Sequence, residues 1–146
     1  MSKTILVPVD GSEHSRKALA FAAEICGKFD AKLVLLHVPQ SLPHDRTLVL
    51  GAAAITMHST GDELAAIGSK VLDAAKQLAS QHGCKEVETL TPSGDPAQAI
   101  VKQAEQIGAD MIVMGSRGLS DIKGLLLGSV SHKVAHLAHC TCVTVR

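Results

Sequence analysis

Short, mostly apolar segments alternate with longer amphipathic ones along this chain, and that alternation leaves few possible folds. Thr4–Val9, Lys32–Val38 and Asp110–Met114 are each dominated by consecutive aliphatic residues, as expected of strands covered on both faces. Glu86–Leu90 alternates with polar residues, which is typical of a sheet edge, and Thr141–Val145 closes the chain. Because helices separate the strands, hairpins are excluded and the sheet is predicted to be parallel with right-handed crossovers.

Amphipathic spacing places helices between these strands. The first begins after Ser12, a capping residue, and its predicted buried stripe is Ala18, Ala22, Ile25 and Phe29. The second runs from Gly61 to Gly83, and its predicted stripe is Leu64, Ile67, Val71, Ala74 and Leu78. A third begins at Asp95, and a fourth spans residues 129–138.

These elements predict one α/β domain over residues 1–146, a doubly wound sheet with helices on both faces. Residues 39–60 are harder to assign. Their prolines and polar start favour a loop, whereas the apolar "LVLGAAAI" leaves open a short helix or a cover over a site.

The composition excludes several classes of function. Lys+Arg and Asp+Glu both number 14 and only two residues are aromatic, so nucleic-acid binding is not expected. No apolar stretch reaches the length of a membrane span and the N-terminus lacks a signal peptide, which predicts a soluble cytoplasmic protein with no membrane insertion. The cysteines form no C-x-x-C pair and are expected to be small buried side chains in a reducing compartment.

Two strands lead directly into glycine and serine. Thr4–Val9 and Asp110–Met114 are the most apolar and therefore most central strands, and the chain leaves them through "PVDGS" and "GSRG". Doubly wound sheets bind ligands outside the carboxyl ends of the strands where strand order reverses, so these loops are predicted to face each other across a crevice. Glycine backbone, the helix N-terminus at Ser129 and the hydroxyls of Ser116 and Ser131 would offer hydrogen-bond donors to a phosphate there.

Asp10 is the only carboxylate expected at this crevice. It can accept from a sugar hydroxyl or hold Mg²⁺ beside phosphates. Two simpler interpretations stay open at this point. Asp10 can cap the first helix through "DGS", and the glycines can serve turn geometry alone.

The glycine-rich segment resembles the ATP-binding branch of the universal stress protein family. That branch carries a motif of glycine, two residues, glycine, nine residues, glycine, then serine or threonine. Gly115, Gly118, Gly128 and Ser129 keep this spacing. The segments "ILVPVDGSEHSRKAL", "LVLLHV" and "LLLGSVS" are also similar to the family, so the likeness spans nearly the whole chain.

The resemblance implies a five-stranded parallel sheet of order 3-2-1-4-5, of the adenine nucleotide alpha-hydrolase-like type, and a homodimer paired through Thr141–Val145. It also implies an ATP site, with AMP or ADP as alternative ligands and with Asp10 facing the ribose or Mg²⁺. The adenine would contact Pro8, Val9, Val38 and Met114, with the Val38 backbone reading the base edge. The phosphates would be held by Gly115, Ser116, Arg117, Gly118, Gly128, Ser129, Val130 and Ser131.

Two residues depart from the family pattern. Arg117 stands where many relatives have histidine, which keeps positive charge near the phosphates. Thr141 replaces a proline often found before the last strand, which restores a backbone donor and makes the dimer geometry less certain than the nucleotide site. On this assignment a Gly115→Val variant is expected to clash with the phosphates while leaving the fold intact.

Other chemistry has weaker support. His132, His136 and His139 recur at i, i+4 and i+7, opposite Val130, Val134 and Leu137, so we expect an exposed stripe without a metal even though an i, i+4 pair can bind zinc. The chain contains no G-x-S-x-G elbow, G-x-x-x-x-G-K-S/T loop or G-x-G-x-x-G fingerprint.

The sequence favours a nucleotide-dependent regulatory module, in which ATP orders the Gly115–Gly128 loop and changes a surface read by an unknown protein partner. With Asp10, Arg117 and Lys123 as its only motif groups and no obvious base, we expect at most slow ATP hydrolysis. A ligand-free dimeric interaction protein is the alternative. An adenylating enzyme is less favoured, because 146 residues leave no second substrate domain.

Overall fold

The computed structural model describes residues 2–39, 47–50, 53–56, 61–117 and 127–146. Within these residues the strands are β1 (Thr4–Pro8), β2 (Lys32–Leu36), β3 (Thr47–Leu50), β4 (Ala53–Thr56), β5 (Val87–Leu90), β6 (Met111–Gly115) and β7 (Thr141–Val145). The helices are α1 (Glu13–Phe29), α2 (Gly61–Gln81), α3 (Pro96–Ile107) and α4 (Ser129–Leu137).

The main sheet is parallel and five-stranded, in the order β5-β2-β1-β6-β7. Counting only its own strands, this is the predicted order 3-2-1-4-5. Ile5 of β1 pairs with Leu33 of β2 on one side and with Met111 of β6 on the other. The prediction that β1 and β6 are central neighbours is therefore confirmed, as is the edge position of β5.

Helices cover the sheet on both faces and create two buried clusters. Ile5 and Val7 of β1 point into the cluster shared with α1 and α2, and the intervening Leu6 points into the cluster shared with α3 and α4. Each of the three is at most 2% exposed. This explains why the strand reads as a continuous apolar run, since neither of its faces meets water.

The helix caps follow the sequence signals. The Ser12 hydroxyl accepts the Ser15 N–H at 3.2 Å and caps α1. Asp95 accepts the Gln98 N–H at 3.1 Å, with Pro96 as the first residue of α3. These bonds satisfy N–H groups that the first turn of a helix leaves without partners.

The buried face of α2 differs from the predicted one. Ile67 is 52% exposed, and the buried positions lie one residue later in the helix, at Gly68, Leu72, Ala75 and Ala79. Gly68 lies against the ring of His37, where a Cβ would be only 2.9 Å from a ring carbon. Because Gly68, Ala75 and Ala79 are small, α2 can approach the sheet closely on this face. The predicted stripe, which includes Val71 and Leu78, therefore lies toward α1.

Two further expectations are wrong. Phe29 is 74% exposed because α1 ends there, with Asp30 in the left-handed conformation as its C-cap, so the ring lies beyond the buried stripe. The short helix considered for "LVLGAAAI" is not formed by the described residues of that segment. There, β3 and β4 pair in antiparallel fashion with Leu48 opposite Ile55.

Candidate functional site

The predicted crevice exists at the carboxyl ends of β1 and β6. A cavity of about 70 Å³ lies there. Nine of the residues that the sequence singled out line it: Pro8, Val9, Asp10, Val38, Met114, Gly115, Arg117, Val130 and Ser131. Gly118 lies outside the described residues.

The sequence did not single out the remaining residues of the cavity lining. Ser15 comes from α1, Leu36 from β2, and Pro96 and Ile100 from the first two turns of α3. The signal for Pro96 was present, because a helix that follows the carboxyl end of a neighbouring strand begins at the same edge of the sheet. Leu36, Pro96 and Ile100 add apolar surface to that of Val38 and Met114.

Asp10 shapes the backbone at the mouth of the crevice. One carboxylate oxygen, Oδ1, accepts the Ser12 N–H at 2.8 Å, and the Asp10 N–H donates to the Ser15 hydroxyl at 3.4 Å. Asp10 therefore forms the turn before α1, and Ser12 is the cap itself. The half-buried Asp10 side chain also lines the cavity, so the turn and a ligand-binding role are compatible.

Arg117 places a cation at the crevice. Its Nε atom is buried and has no hydrogen-bond partner, and it is the single buried side-chain nitrogen or oxygen in that condition among the described residues. An orphaned buried guanidinium donor is costly, because its hydration is lost without replacement. The position is therefore suited to an anionic group.

Ser116 links the strand end to the start of α4. Its carbonyl accepts the Gly128 N–H at 2.6 Å and the Ser131 hydroxyl at 2.9 Å. Its N–H donates to the Val145 carbonyl at 2.8 Å, and its hydroxyl lies 3.3 Å from His14 Nδ1. Since Ser116 is 1% exposed, its hydrogen-bonding groups serve the protein interior.

The N-terminus of α4 is built differently from those of α1 and α3. Its N-cap is Gly128, and no side chain caps it. Ser129 is exposed, whereas Ser131 is buried and bonded to Ser116. The positive end of the α4 dipole thus lies beside the cavity that Val130 and Ser131 line.

Buried His37 supports the crevice from behind. Its Nδ1 is 2.8 Å from the Val9 carbonyl oxygen, and its ring packs against Gly68 of α2. His37 thereby connects α2 to a residue that lines the cavity. Sequence reasoning missed it, because a histidine that ends an apolar strand does not show which backbone group it will meet.

A second, larger cavity of about 510 Å³ runs between α1 and α2. Val71, Ala74 and Leu78, which were predicted to be core residues, line it. Arg16 also lines it, but its guanidinium is paired with Glu13 at 2.7 Å. The smaller crevice, in contrast, is lined by Arg117, whose buried Nε has no partner, and this favours the crevice as the ligand site.

The histidine stripe is exposed as predicted at His132 and His136. Leu137, expected on the opposite face, is itself 46% exposed, and His139 follows the end of α4, with Nε2 at 3.6 Å from a Glu105 oxygen. Over the part of the chain that the structure describes, no three His, Cys, Asp or Glu side chains form a group that could hold a metal.

Comparison with known proteins agrees with this architecture. A family model described as "Universal stress protein family" matches residues 1–146. The chain belongs to the universal stress protein family. Universal stress protein YxiE of Bacillus subtilis is 36% identical to it over the full length of both chains. Universal stress protein MJ0531 of Methanocaldococcus jannaschii is 33% identical over 99% of this chain and 82% of the relative.

A solved universal stress protein in complex with cAMP superposes on this one with a TM-score of 0.71 at 29% identity, covering 99% of this chain and 96% of that protein. Its fold is thus shared over nearly the whole length of both. None of the helices described for this universal stress protein is long and apolar enough to cross a membrane.

Proposed function

We propose that this universal stress protein binds an adenine nucleotide, with ATP as the expected ligand, in the crevice between the ends of β1 and β6. Binding would make it a nucleotide-dependent regulatory module. The solved relative in complex with cAMP supports the class of ligand. The observation that carries the proposal is the buried, unpartnered Nε of Arg117 beside the uncapped start of α4.

The two sides of the crevice suit the two ends of a nucleotide. Pro8, Val9, Val38 and Met114 would contact the adenine, because they supply apolar surface at the strand ends. On the other side, the Arg117 guanidinium and the N–H groups at the start of α4 would hold the phosphates. Phosphate oxygens accept several hydrogen bonds at once, which would satisfy the orphaned Nε.

Asp10 would contact the ribose of the nucleotide or a Mg²⁺ ion bound to its phosphates. One of its oxygens is engaged by Ser12, and its second oxygen accepts no hydrogen bond from the described residues. That oxygen can accept from a ribose hydroxyl or hold Mg²⁺. A bound Mg²⁺ would supply positive charge to neutralise the phosphates.

The crevice must widen or extend to accept this ligand. Its volume of about 70 Å³ is well below the roughly 300–1,000 Å³ typical of ligand pockets. Ligand-dependent rearrangement near Arg117 is thus part of the proposal, and it would give partner proteins a surface that depends on nucleotide. Since Asp10 is the only carboxylate lining the cavity within the described residues, we expect hydrolysis to be slow at most.

We also propose that β7 pairs with its copy in a second chain to form a homodimer. β7 is the last strand of the sheet on that side, so one of its edges has no strand partner among the described residues. Its Thr141 and Thr144 are exposed.

Isothermal titration with ATP, ADP and AMP, with and without Mg²⁺, tests the proposed site. Arg117→Ala should weaken ATP binding by about 10- to 100-fold, because a hydrogen bond to a charged group contributes about 1.5–3 kcal/mol. Arg16→Ala is the matched control, since it removes an arginine from the larger cavity and should leave affinity within about twofold.

No ATP binding below millimolar concentration would reject the proposed function and favour the ligand-free interaction protein. Binding that Arg16→Ala abolishes and Arg117→Ala spares would move the site to the cavity between α1 and α2. Binding accompanied by release of AMP and pyrophosphate would instead favour the adenylating enzyme.

A further inference from the structure

Two cysteines meet in the core at the end of α1 that is remote from the crevice. Cys26 of α1 is 2% exposed and Cys84, between α2 and β5, is 7% exposed, and both belong to the buried cluster beneath α1 and α2. Burial raises the pKa of the Cys26 thiol to about 12, and the neighbouring Cys84 thiol contributes to that rise. Both thiols thus lie within one packed cluster of the core.

The backbone around these cysteines is tightly packed. A Cβ on Gly27 would lie 2.7 Å from the His82 carbonyl oxygen and 3.6 Å from that of Gly83. The last turn of α1 therefore rests directly on the turn that leads into Cys84. This contact holds the two cysteines next to each other in the folded chain.

A small cavity gives access to this place. It measures about 180 Å³ and is lined by Cys26 and by Gly83 and Lys85, the two chain neighbours of Cys84. Exposed residues, Ser2 and Glu86 among them, also line it, so it reaches the protein surface. A molecule the size of hydrogen peroxide fits in such a space, whereas a bulky disulfide such as oxidised glutathione does not.

We propose that Cys26 and Cys84 form a reversible intrachain disulfide when the protein meets a small hydroperoxide. One sulfur, as its thiolate, attacks a peroxide oxygen, which breaks the O–O bond, forms a sulfenic acid and releases water or an alcohol. The second sulfur then attacks the sulfenic sulfur and displaces hydroxide, which leaves as water. The two thiols lose two electrons and two protons, and the peroxide accepts them.

The buried surroundings set how fast this reaction runs. Because burial raises the pKa of both thiols, little thiolate exists at neutral pH and the reaction is slower than that of a free cysteine. The rate should rise about tenfold per pH unit between pH 7 and 9, as the thiolate fraction does. The product would close a loop through residues 27–83 and raise the melting temperature by about 10 °C.

The test compares two double variants. Cys140→Ser with Cys142→Ser leaves only the proposed pair, and Cys26→Ser with Cys84→Ser leaves only the two cysteines at β7. Each folded protein is treated with hydrogen peroxide, denatured, alkylated and weighed by mass spectrometry. The first should lose both thiols and about 2 Da as a monomer, gain thermal stability, and recover both thiols with dithiothreitol. The second should show no such stabilisation.

Peptide mapping of the peroxide-treated wild-type chain covers the case in which a variant folds poorly. A Cys26–Cys84 cross-linked peptide is expected. Two alkylatable thiols in a folded, peroxide-treated variant that carries both Cys140→Ser and Cys142→Ser would overturn the proposal. So would separate irreversible sulfinic or sulfonic acids at Cys26 and Cys84 of the wild type. Oxidised glutathione should leave the pair unmodified. These outcomes do not depend on nucleotide binding, so they leave the proposed function untouched.

Discussion

A Cβ atom on Gly115 would lie 2.7 Å from the carbonyl carbon of His14, so the end of β6 and the first turn of α1 touch at a position where only glycine fits. Gly115 belongs to the family's glycine motif, yet its neighbours here are protein atoms, including the Ser15 nitrogen at 2.8 Å. The expectation that Gly115→Val leaves the fold intact is therefore wrong. A larger residue would push α1 away from the sheet.

Gly115→Ala should accordingly lower the free energy of unfolding by about 2–3 kcal/mol through overpacking. Urea denaturation measures this loss. Gly108→Ala is the control, because nothing lies within 4 Å of its Cβ position and only its left-handed backbone opposes alanine, at about 1 kcal/mol. Equal losses in the two variants would contradict the packing role of Gly115.

Asp10→Asn separates the two roles of Asp10. Asparagine keeps an oxygen for the Ser12 N–H, so the melting temperature should stay within about 2 °C of the wild type. If the second carboxylate oxygen serves the ligand, the gain in ATP affinity from Mg²⁺ should fall by about tenfold. Titrations with and without Mg²⁺ measure this gain, and an unchanged gain would remove Asp10 from the metal site.

Thr144→Pro tests the dimer. The Val145 carbonyl accepts from Ser116 on the β6 side, and successive residues of a strand point their backbone groups in opposite directions, so the Thr144 N–H faces the free edge of β7. Proline there removes an outward donor and spares the bonds to β6. Light scattering after size-exclusion chromatography should show a dimer for the wild type and a monomer for the variant.

A matched substitution makes the dimer test specific. Val143→Pro removes a donor that points toward β6, so it should destabilise the fold as well as any dimer. A wild-type chain that is monomeric at all concentrations would reject the proposed pairing. So would a Thr144→Pro variant that remains a stable dimer.

Asp110 should give the protein part of its sensitivity to acid. Its carboxylate accepts the Thr4 N–H at 2.9 Å and a Lys3 ammonium proton at 3.2 Å, and these bonds lower its pKa. A carboxyl with a lowered pKa stabilises the folded state above its unfolded pKa, about 3.9, and this contribution is lost as pH falls through the folded-state value.

Urea unfolding of wild type and Asp110→Asn between pH 7 and 3 checks this sign. The variant should be less stable at neutral pH. The difference in free energy of unfolding between wild type and variant should become smaller below about pH 4. Asp73→Asn, which removes an exposed carboxylate on α2, should follow the wild-type profile. If the stability of wild type and of Asp110→Asn changes with pH in the same way, the Asp110 bonds do not contribute to the sensitivity to acid.

The sequence was sufficient for the order of the elements that form the main sheet and its helices, and for the position of the crevice, because both follow from local patterns. It did not predict the antiparallel pair of β3 and β4. The run Thr4–Val9 requires cover on two faces, and glycine after β1 and β6 identifies the edge where a ligand can approach. The face of α2 was not predictable in this way. Ile67 and Leu72 belong to stripes one residue apart that are both apolar, and the choice depends on Gly68 fitting over His37.

The same limit applies inside the site. Gly115 was read as room for a phosphate, but its tight neighbour is α1, which sequence spacing cannot reveal. Arg117 was expected to add charge, and the structure adds that its Nε lacks a partner. The contact of Gly115 joins residues about 100 positions apart, whereas caps such as Ser12 and Asp95 depend on residues three positions away.

The Ser116 carbonyl fastens both ends of the segment between β6 and α4, through its bonds to Gly128 and Ser131. These bonds hold the start of α4 against the end of β6. Because these two bonds do not involve the residues between Arg117 and Leu127, we expect the start of α4 to keep its position when those residues are substituted. If the proposed nucleotide binds in this crevice, substitutions in that segment would change its recognition while the sheet stays the same.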